Sequence, residues 1–272
     1  MDWHHLILFC AAVLGGAINA VAGGGTLLTF PALILAGQSP IIANATNTVA
    51  LWPGALGSFW GYRTELGQHR REILFLSVPS FLGGALGAWL MVITDPATFA
   101  LLVPYLILLA TGLFIVQEPL SRWPWRSGKR LVEGAPTKAK SAMVAAFGHA
   151  ATPLRWFAVL LSQFLIGVYG GYFGAGIGIL MLAAYGILGF SNIHQANAIK
   201  NLNAMFINGI AAMIFIVKGL IDWPIAMLMA AGAILGGYAG AGTARRLGQK
   251  NVRRLVILIG ITLAARMLLK GN

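Results

Sequence analysis

Apolar residues fill most of the chain in runs separated by short polar or glycine-rich breaks. The runs predict helices at about Leu6–Val21, Thr26–Ala36, Ala45–Tyr62, Ile73–Val92 and Ala97–Val116. After a long basic stretch come Trp156–Tyr172, Ile177–Gly189, Ala198–Val217, Trp223–Ala244 and Val252–Leu269. A helix that crosses a bilayer needs about 20 residues. Thr26–Ala36 and Ile177–Gly189 are too short, so each is expected to pair with the segment before it as a broken or re-entrant hairpin. The pattern predicts an all-α integral membrane protein with eight to ten membrane segments, depending on how the short ones are counted.

Both short segments follow a glycine break and precede a polar run. Ala22-Gly23-Gly24-Gly25-Thr26 leads to Asn44-Ala45-Thr46-Asn47-Thr48, and Phe173-Gly174-Ala175-Gly176-Ile177-Gly178 leads to Ala196-Asn197-Ala198-Ile199-Lys200-Asn201-Leu202-Asn203. Gly83-Gly84-Ala85-Leu86-Gly87-Ala88 likewise matches Gly236-Gly237-Tyr238-Ala239-Gly240-Ala241. Three matches in order, at offsets of 151 to 153, predict an internal repeat. The chain then divides into a first transmembrane repeat (1–116), a basic linker (117–153) and a second transmembrane repeat (154–272). Interrupted hydrophobic segments at matching places in two halves point to the binding site of a transporter.

Charge adds orientation. Of 272 residues, 58% are hydrophobic and only 10% charged, against about a quarter charged in a soluble domain. The net charge of +12 would suggest nucleic acid in a soluble protein. Here Lys and Arg gather in a few loops, as the cytoplasmic bias of membrane proteins produces. Arg63, Arg70 and Arg71 place the Tyr62–Glu72 loop inside, whereas Thr94–Pro96 lacks Lys and Arg and should face out. The linker, with Arg122, Arg126, Lys129 and Arg130, is expected inside, with Trp123 and Trp125 as headgroup anchors. In the second half the bias reverses: the equivalent loops carry only Lys218 and then Arg245, Arg246, Lys250, Arg253 and Arg254. The repeats are therefore expected to have inverted topology, with both termini periplasmic. The N-terminus lacks a secretory signal pattern, so the first apolar run is expected to stay. The single cysteine, Cys10, excludes an intramolecular disulfide, and no zinc-type spacing occurs.

The seven acids (Asp2, Glu65, Glu72, Asp95, Glu118, Glu133 and Asp222) all fall in or beside loops. Buried carboxylates are the usual relays and ligands of proton and cation carriers, so neither a metal site nor a cofactor is expected. Intramembrane proteolysis lacks its paired acids or nucleophile, so no catalytic residue is assigned. What remains suits an anion. Half-helices starting at Gly24-Gly25-Thr26 and near Gly176 would aim positive ends into a cavity. Asn44, Asn47, Thr48, Asn197 and Asn201 would supply amide and hydroxyl donors. Lys200 is read in two ways: as counter-ion to an anionic solute, or as a side chain snorkelling to the cytoplasmic interface. Asn19, Gln163, Asn208, Tyr169 and Tyr172 are expected either to line the cavity or to join helices. His149 and His194 are read as structural, and Trp52 and Trp60 as packing residues rather than gates.

The stretch Asn19-Ala20-Val21-Ala22-Gly23-Gly24-Gly25-Thr26-Leu27-Leu28-Thr29-Phe30-Pro31-Ala32-Leu33, with Ala43-Asn44-Ala45-Thr46-Asn47-Thr48 after it, resembles the N-terminal signature of the TauE/SafE sulfite-exporter family. The segment from Gly174 is similar to that family's repeat. The resemblance implies a multi-pass bacterial inner-membrane permease for small sulfur-containing or organic anions such as sulfite, sulfoacetate or related sulfonates, with a homodimer left open. Alternating access, one repeat rocking against the other, is the expected mechanism. Organosulfonate import and a membrane scaffold subunit with no solute path are the alternatives.

Overall fold

The computed structural model describes residues 3–22, 24–61, 70–133, 153–187, 193–243 and 249–270. Gly23, residues 62–69 of the expected cytoplasmic loop, linker residues 134–152 (with His149), and Arg245 and Arg246 lie outside them. The described residues form ten helices and no strand: α1 (Trp3–Ala22), α2 (Thr26–Leu35), α3 (Pro40–Gly61), α4 (Arg70–Ile93), α5 (Pro96–Glu133), α6 (Pro153–Tyr172), α7 (Ile177–Ile187), α8 (Ile193–Val217), α9 (Trp223–Thr243) and α10 (Gln249–Lys270). The protein is thus all-α. Phe75–Ile93, Pro96–Val116 and Ala196–Val217 are long and apolar enough to cross a membrane, and five shorter apolar helices accompany them. Large apolar side chains such as Trp89, Leu101, Met213 and Leu269 are exposed on the outside, where hydrocarbon would cover them.

Two boundaries differ from the sequence reading in a way that matters. α3 and α8 begin at Pro40 and Ile193 rather than at Ala45 and Ala198, so both polar runs, expected to straddle the helix starts, lie wholly inside helices. Helical spacing then sorts the polar residues onto faces. α5 also continues past Val116 to Glu133, taking in part of the linker. Hydropathy marks where a helix leaves apolar surroundings, not where its backbone bonding stops.

Tight ends set the helices back to back. Gly37 (φ +91°) and Gly219 (φ +68°) adopt left-handed backbone after α2 and α8. At the first, Gly37 N donates to Ile34 O and Gln38 N to Leu33 O; at the second, Gly219 N donates to Ile216 O and Leu220 N to Phe215 O. These paired bonds form the Schellman stop, which glycine permits because it has no Cβ to clash. Asp95 caps α5 by accepting from Ala97 N (2.9 Å) and Thr98 N (3.2 Å). Asp222 caps α9 by accepting from Ile225 N (3.2 Å).

Helix pairing is alike under the sequence offset of 151 to 153. α1 packs on α9, and α6, which the offset aligns with α1, packs on α4, which it aligns with α9. In the same way α3 packs on α9 while α8 packs on α4. Two pairs, α3–α8 and α5–α10, join equivalent helices. Glycine makes the crossings close: a Cβ at Gly16 would collide with the Ala233 carbonyl, one at Gly236 with that of Val13, and one at Gly87 with that of Val168. Small residues let backbones touch where lipid gives no hydrophobic drive to associate. Leu76, Ile166, Met181, Tyr185 and Ile199 form a core of their own among α4, α6, α7 and α8, separate from the larger core.

Candidate solute-binding site

The two glycine breaks look alike in sequence and are built differently. Gly25 has ordinary helical backbone (φ −57°) and is required by proximity, because a Cβ there would strike the Gly15 carbonyl. Gly24 lies under the Phe114 ring. At the second break Gly174 (φ +82°) and Gly176 (φ +80°) are required by conformation. Each break starts a short helix. Leu27 N donates to Gly24 O and Leu28 N to Gly25 O, while Ile179 N donates to Gly176 O. The N–H groups at each tip have no carbonyl four residues back, so they carry partial positive charge.

Both tips meet at one cavity of about 50 Å³, room for roughly three to five waters or one small polyatomic ion. The first half contributes Asn19, Thr26, Asn47, Thr48 and Leu51. Phe173, Gly174, Ile177, Gly178, Lys200, Asn201, Ala204 and Asn208 come from the second. The spacing is helical on both sides: positions 47, 48 and 51 of α3 face 200, 201, 204 and 208 of α8. Under the 153-residue offset of the Ala-Asn-Ala triplets, Asn47 is equivalent to Lys200, Thr48 to Asn201 and Leu51 to Ala204. The cavity is therefore lined by aligned positions of α3 and α8.

Its chemistry favours donors. Asn47 Oδ1 accepts from Thr29 Oγ1 (2.5 Å) and Asn47 Nδ2 donates to Thr26 Oγ1 (3.4 Å), which fixes the amide and leaves it one further N–H. Asn201 is buried, and its Nδ2 has no partner among the described residues. Lys200 is 2% exposed, so its ammonium does not snorkel to an interface. No acid lines the cavity among the described residues. A buried cation without an acid beside it suits a negative guest.

Five of the sequence candidates lie off the lining. Asn44 donates to Tyr172 O (3.0 Å), and its Oδ1 is buried without a donor. Gly24, Gly25 and Gly176 shape the breaks from behind, and Asn197 is half-buried about one turn before Lys200. Asn19 and Asn208 do line the cavity. Tyr169 donates to Ala175 O (2.8 Å) and Tyr172 to Thr94 Oγ1 (3.3 Å), so both join elements instead. Gln163 belongs to a buried chain that single-residue reading missed. Ser77 Oγ donates to Asn203 Oδ1 (3.2 Å), Asn203 Nδ2 to Tyr185 OH (2.8 Å), Tyr185 OH to Gln163 Oε1 (3.1 Å), and Gln163 Nε2 to Ser80 Oγ (2.8 Å).

The family model described as sulfite exporter TauE/SafE matches residues 8–267. A probable membrane transporter protein of Haemophilus influenzae is 33% identical over 263 residues, 96% of this chain and 93% of the relative. The probable membrane transporter protein YfcA of Escherichia coli K12 is 28% identical, covering 96% of this chain and 88% of the relative. A third relative, the probable membrane transporter protein ORF9 of Sinorhizobium sp., is 29% identical over 97% of this chain and 93% of its own length. No solved structure matches.

Proposed function

The chain belongs to the sulfite exporter TauE/SafE family and is a membrane transporter, and on that premise we propose that it carries small sulfur-containing or organic anions out of the cell by alternating access. Sulfite, sulfoacetate and related sulfonates are the candidate solutes. The observation that carries this reading is the cavity between the two half-helix tips, where Lys200 and the unpartnered Asn201 amide converge without an opposing acid. α2 and α7, of 10 and 11 residues, are about 15 and 16 Å long at 1.5 Å per residue. Together they span about the thickness of the hydrocarbon layer. Starting from a shared cavity, two such helices would put the solute near mid-membrane.

Loop charge supports an inner-membrane location with both termini periplasmic. A negative interior favours anion efflux by about 2.3 kcal/mol per charge per 100 mV, which supports export over organosulfonate import. A scaffold has no use for a buried lysine and an amide left short of a bond. The test is sulfite and sulfoacetate flux in proteoliposomes for the wild type, Asn47→Ala, Asn201→Ala and Lys200→Ala. Flux that falls in the variants supports the site. Wild-type flux no greater than that of empty vesicles defeats the reading, and equal flux in all four proteins removes the site assignment.

A further inference from the structure

The sequence halves suggest two rocking bodies, residues 1–116 against 154–272. The packing groups the helices otherwise. Taking the transport reading as its basis, we propose that the moving bodies are two bundles that each mix the halves, and that Asn44 and Trp52 gate the seam between them. One bundle holds α1, α2, α3 and α9; the other holds α4, α6, α7 and α8.

Contacts inside the bundles are of backbone against backbone. Gly16 and Gly236 bring α1 and α9 together so closely that a single Cβ would overlap a carbonyl. Gly83, Gly87 and Gly171 do the same between α4 and α6, against Phe164, Val168 and Gly84. Interlocked backbones cannot slide without separating, so each crossing fixes its pair. The second bundle is fixed further by its own apolar core and by the buried chain Ser77–Asn203–Tyr185–Gln163–Ser80, which has members on α4, α8, α7 and α6. The positions equivalent to Gln163, Asn203 and Ser80 in the first bundle are Ala12, Ala50 and Ala233, all fully buried. The second bundle is thus tied by hydrogen bonds at positions where the first is packed by small apolar side chains. The larger apolar core runs on between them, with Met91, Ile179 and Phe215 of the second bundle in it and the Phe30 and Phe173 rings 5.2 Å apart.

The seam is different in kind. Among the described residues, α3–α8 is the one helix pair that joins the bundles by more than an occasional contact. Two side chains bridge it by bonds to main-chain carbonyls. Asn44 Nδ2 donates to Tyr172 O (3.0 Å), and Trp52 Nε1 donates to Met205 O (3.2 Å). Trp52 and Met205 are themselves aligned by the 153-residue offset. Along α3, positions 44 and 52 lie about 12 Å apart and bracket the cavity residues Asn47, Thr48 and Leu51. Breaking one bond while keeping the other would open the cavity toward one end only. A lone neutral hydrogen bond is weak enough to break and re-form in a transport cycle. Asn44 Oδ1, buried without a donor among the described residues in this state, has a bond still to gain in another. Lys200 and Asn201 travel with the second bundle, while Asn47 and Thr48 stay with the first.

The test is spin-label distance measurement in liposomes, on a Cys10→Ser background with cysteines at the exposed positions Leu14, Trp89, Leu165 and Ile234. Leu14 and Trp89 share a half but not a bundle. Leu14 with Ile234, and Trp89 with Leu165, share a bundle but not a half. Trp52→Phe and Asn44→Ala weaken the gates without any solute added. The expected result is that each gate variant shifts the Leu14–Trp89 distribution and leaves both same-bundle distributions in place, which also shows that the variants are folded. A shift in Leu14–Ile234 with Leu14–Trp89 fixed means that the halves are the bodies, and overturns the proposal. Unchanged distributions for all three pairs overturn it too. Sulfite flux in the same vesicles reports separately: its absence in the wild type defeats the anion reading and leaves the distances to decide the bundles.

Discussion

Asn47 and Lys200 stand at equivalent positions of the two halves and line the same cavity from α3 and α8. A neutral amide and an ammonium thus share the lining. The amide is held by Thr29 and Thr26, while the ammonium has no acid in the lining. Charge at this site is lopsided.

Lys200→Gln keeps a polar chain and removes the charge. A hydrogen bond to a charged group contributes about 1.5–3 kcal/mol, so the sulfite concentration at half-maximal efflux should rise by roughly 10- to 150-fold. Asn47→Asp should do more harm than Asn47→Ala, because a carboxylate across the cavity would pair with Lys200 and repel the solute. Initial rates of sulfite release from loaded proteoliposomes measure both. An unaltered half-saturation in Lys200→Gln would take the lysine out of the site.

Glycine substitutions should separate conformation from proximity. Gly174→Ala and Gly176→Ala put a Cβ on left-handed backbone, at a cost of about 1–2 kcal/mol each, while Gly236→Ala meets the Val13 carbonyl with no room to yield. Gly112 has nothing within 4 Å of its would-be Cβ, and Gly112→Ala should be neutral or stabilising by up to about 1 kcal/mol. Thermal unfolding in detergent should therefore give a lower Tm for the first three and none for Gly112→Ala. Equal melting of Gly236→Ala and wild type would mean that α1 and α9 are not in backbone contact.

Tyr185→Phe removes one oxygen that both accepts from Asn203 and donates to Gln163. Two buried amides are then left short of a partner, each deficit costing about 1–3 kcal/mol. A fall in Tm is expected with the sulfite half-saturation unaltered, since neither amide touches the cavity. A tenfold change in half-saturation at constant Tm would give the chain of bonds a role in binding instead.

Much of this was legible along the chain. Short apolar runs after Gly25 and Gly176 announced α2 and α7 to within a residue or two, because glycine and apolar length are local signals. Asn47, Thr48, Lys200 and Asn201 stood out as polar residues in apolar surroundings, and the fold brings all four to one cavity. Asn44 stood out equally and turns away to Tyr172 O. Sequence shows that a side chain is polar, and the helix face on which it lies depends on where the helix starts. Tyr185 and Gln163 gave no periodic signal, being single polar groups whose partners lie on other helices. The exchange of α4 and α9 between bundles was invisible for a related reason: offsets reveal which segments are alike, not which ones touch.

Gly16 of α1 rests on Ala233 of α9, more than two hundred residues later in the chain. At synthesis rates of about 5–20 residues per second, the first helix enters the bilayer some 10–40 s before the surface it fits has been made. Through that interval its glycine groove must face lipid or an insertion factor. Assembly of the nascent protein is accordingly a late, non-local event, and a polypeptide truncated before Trp223 would leave α1 without its mate.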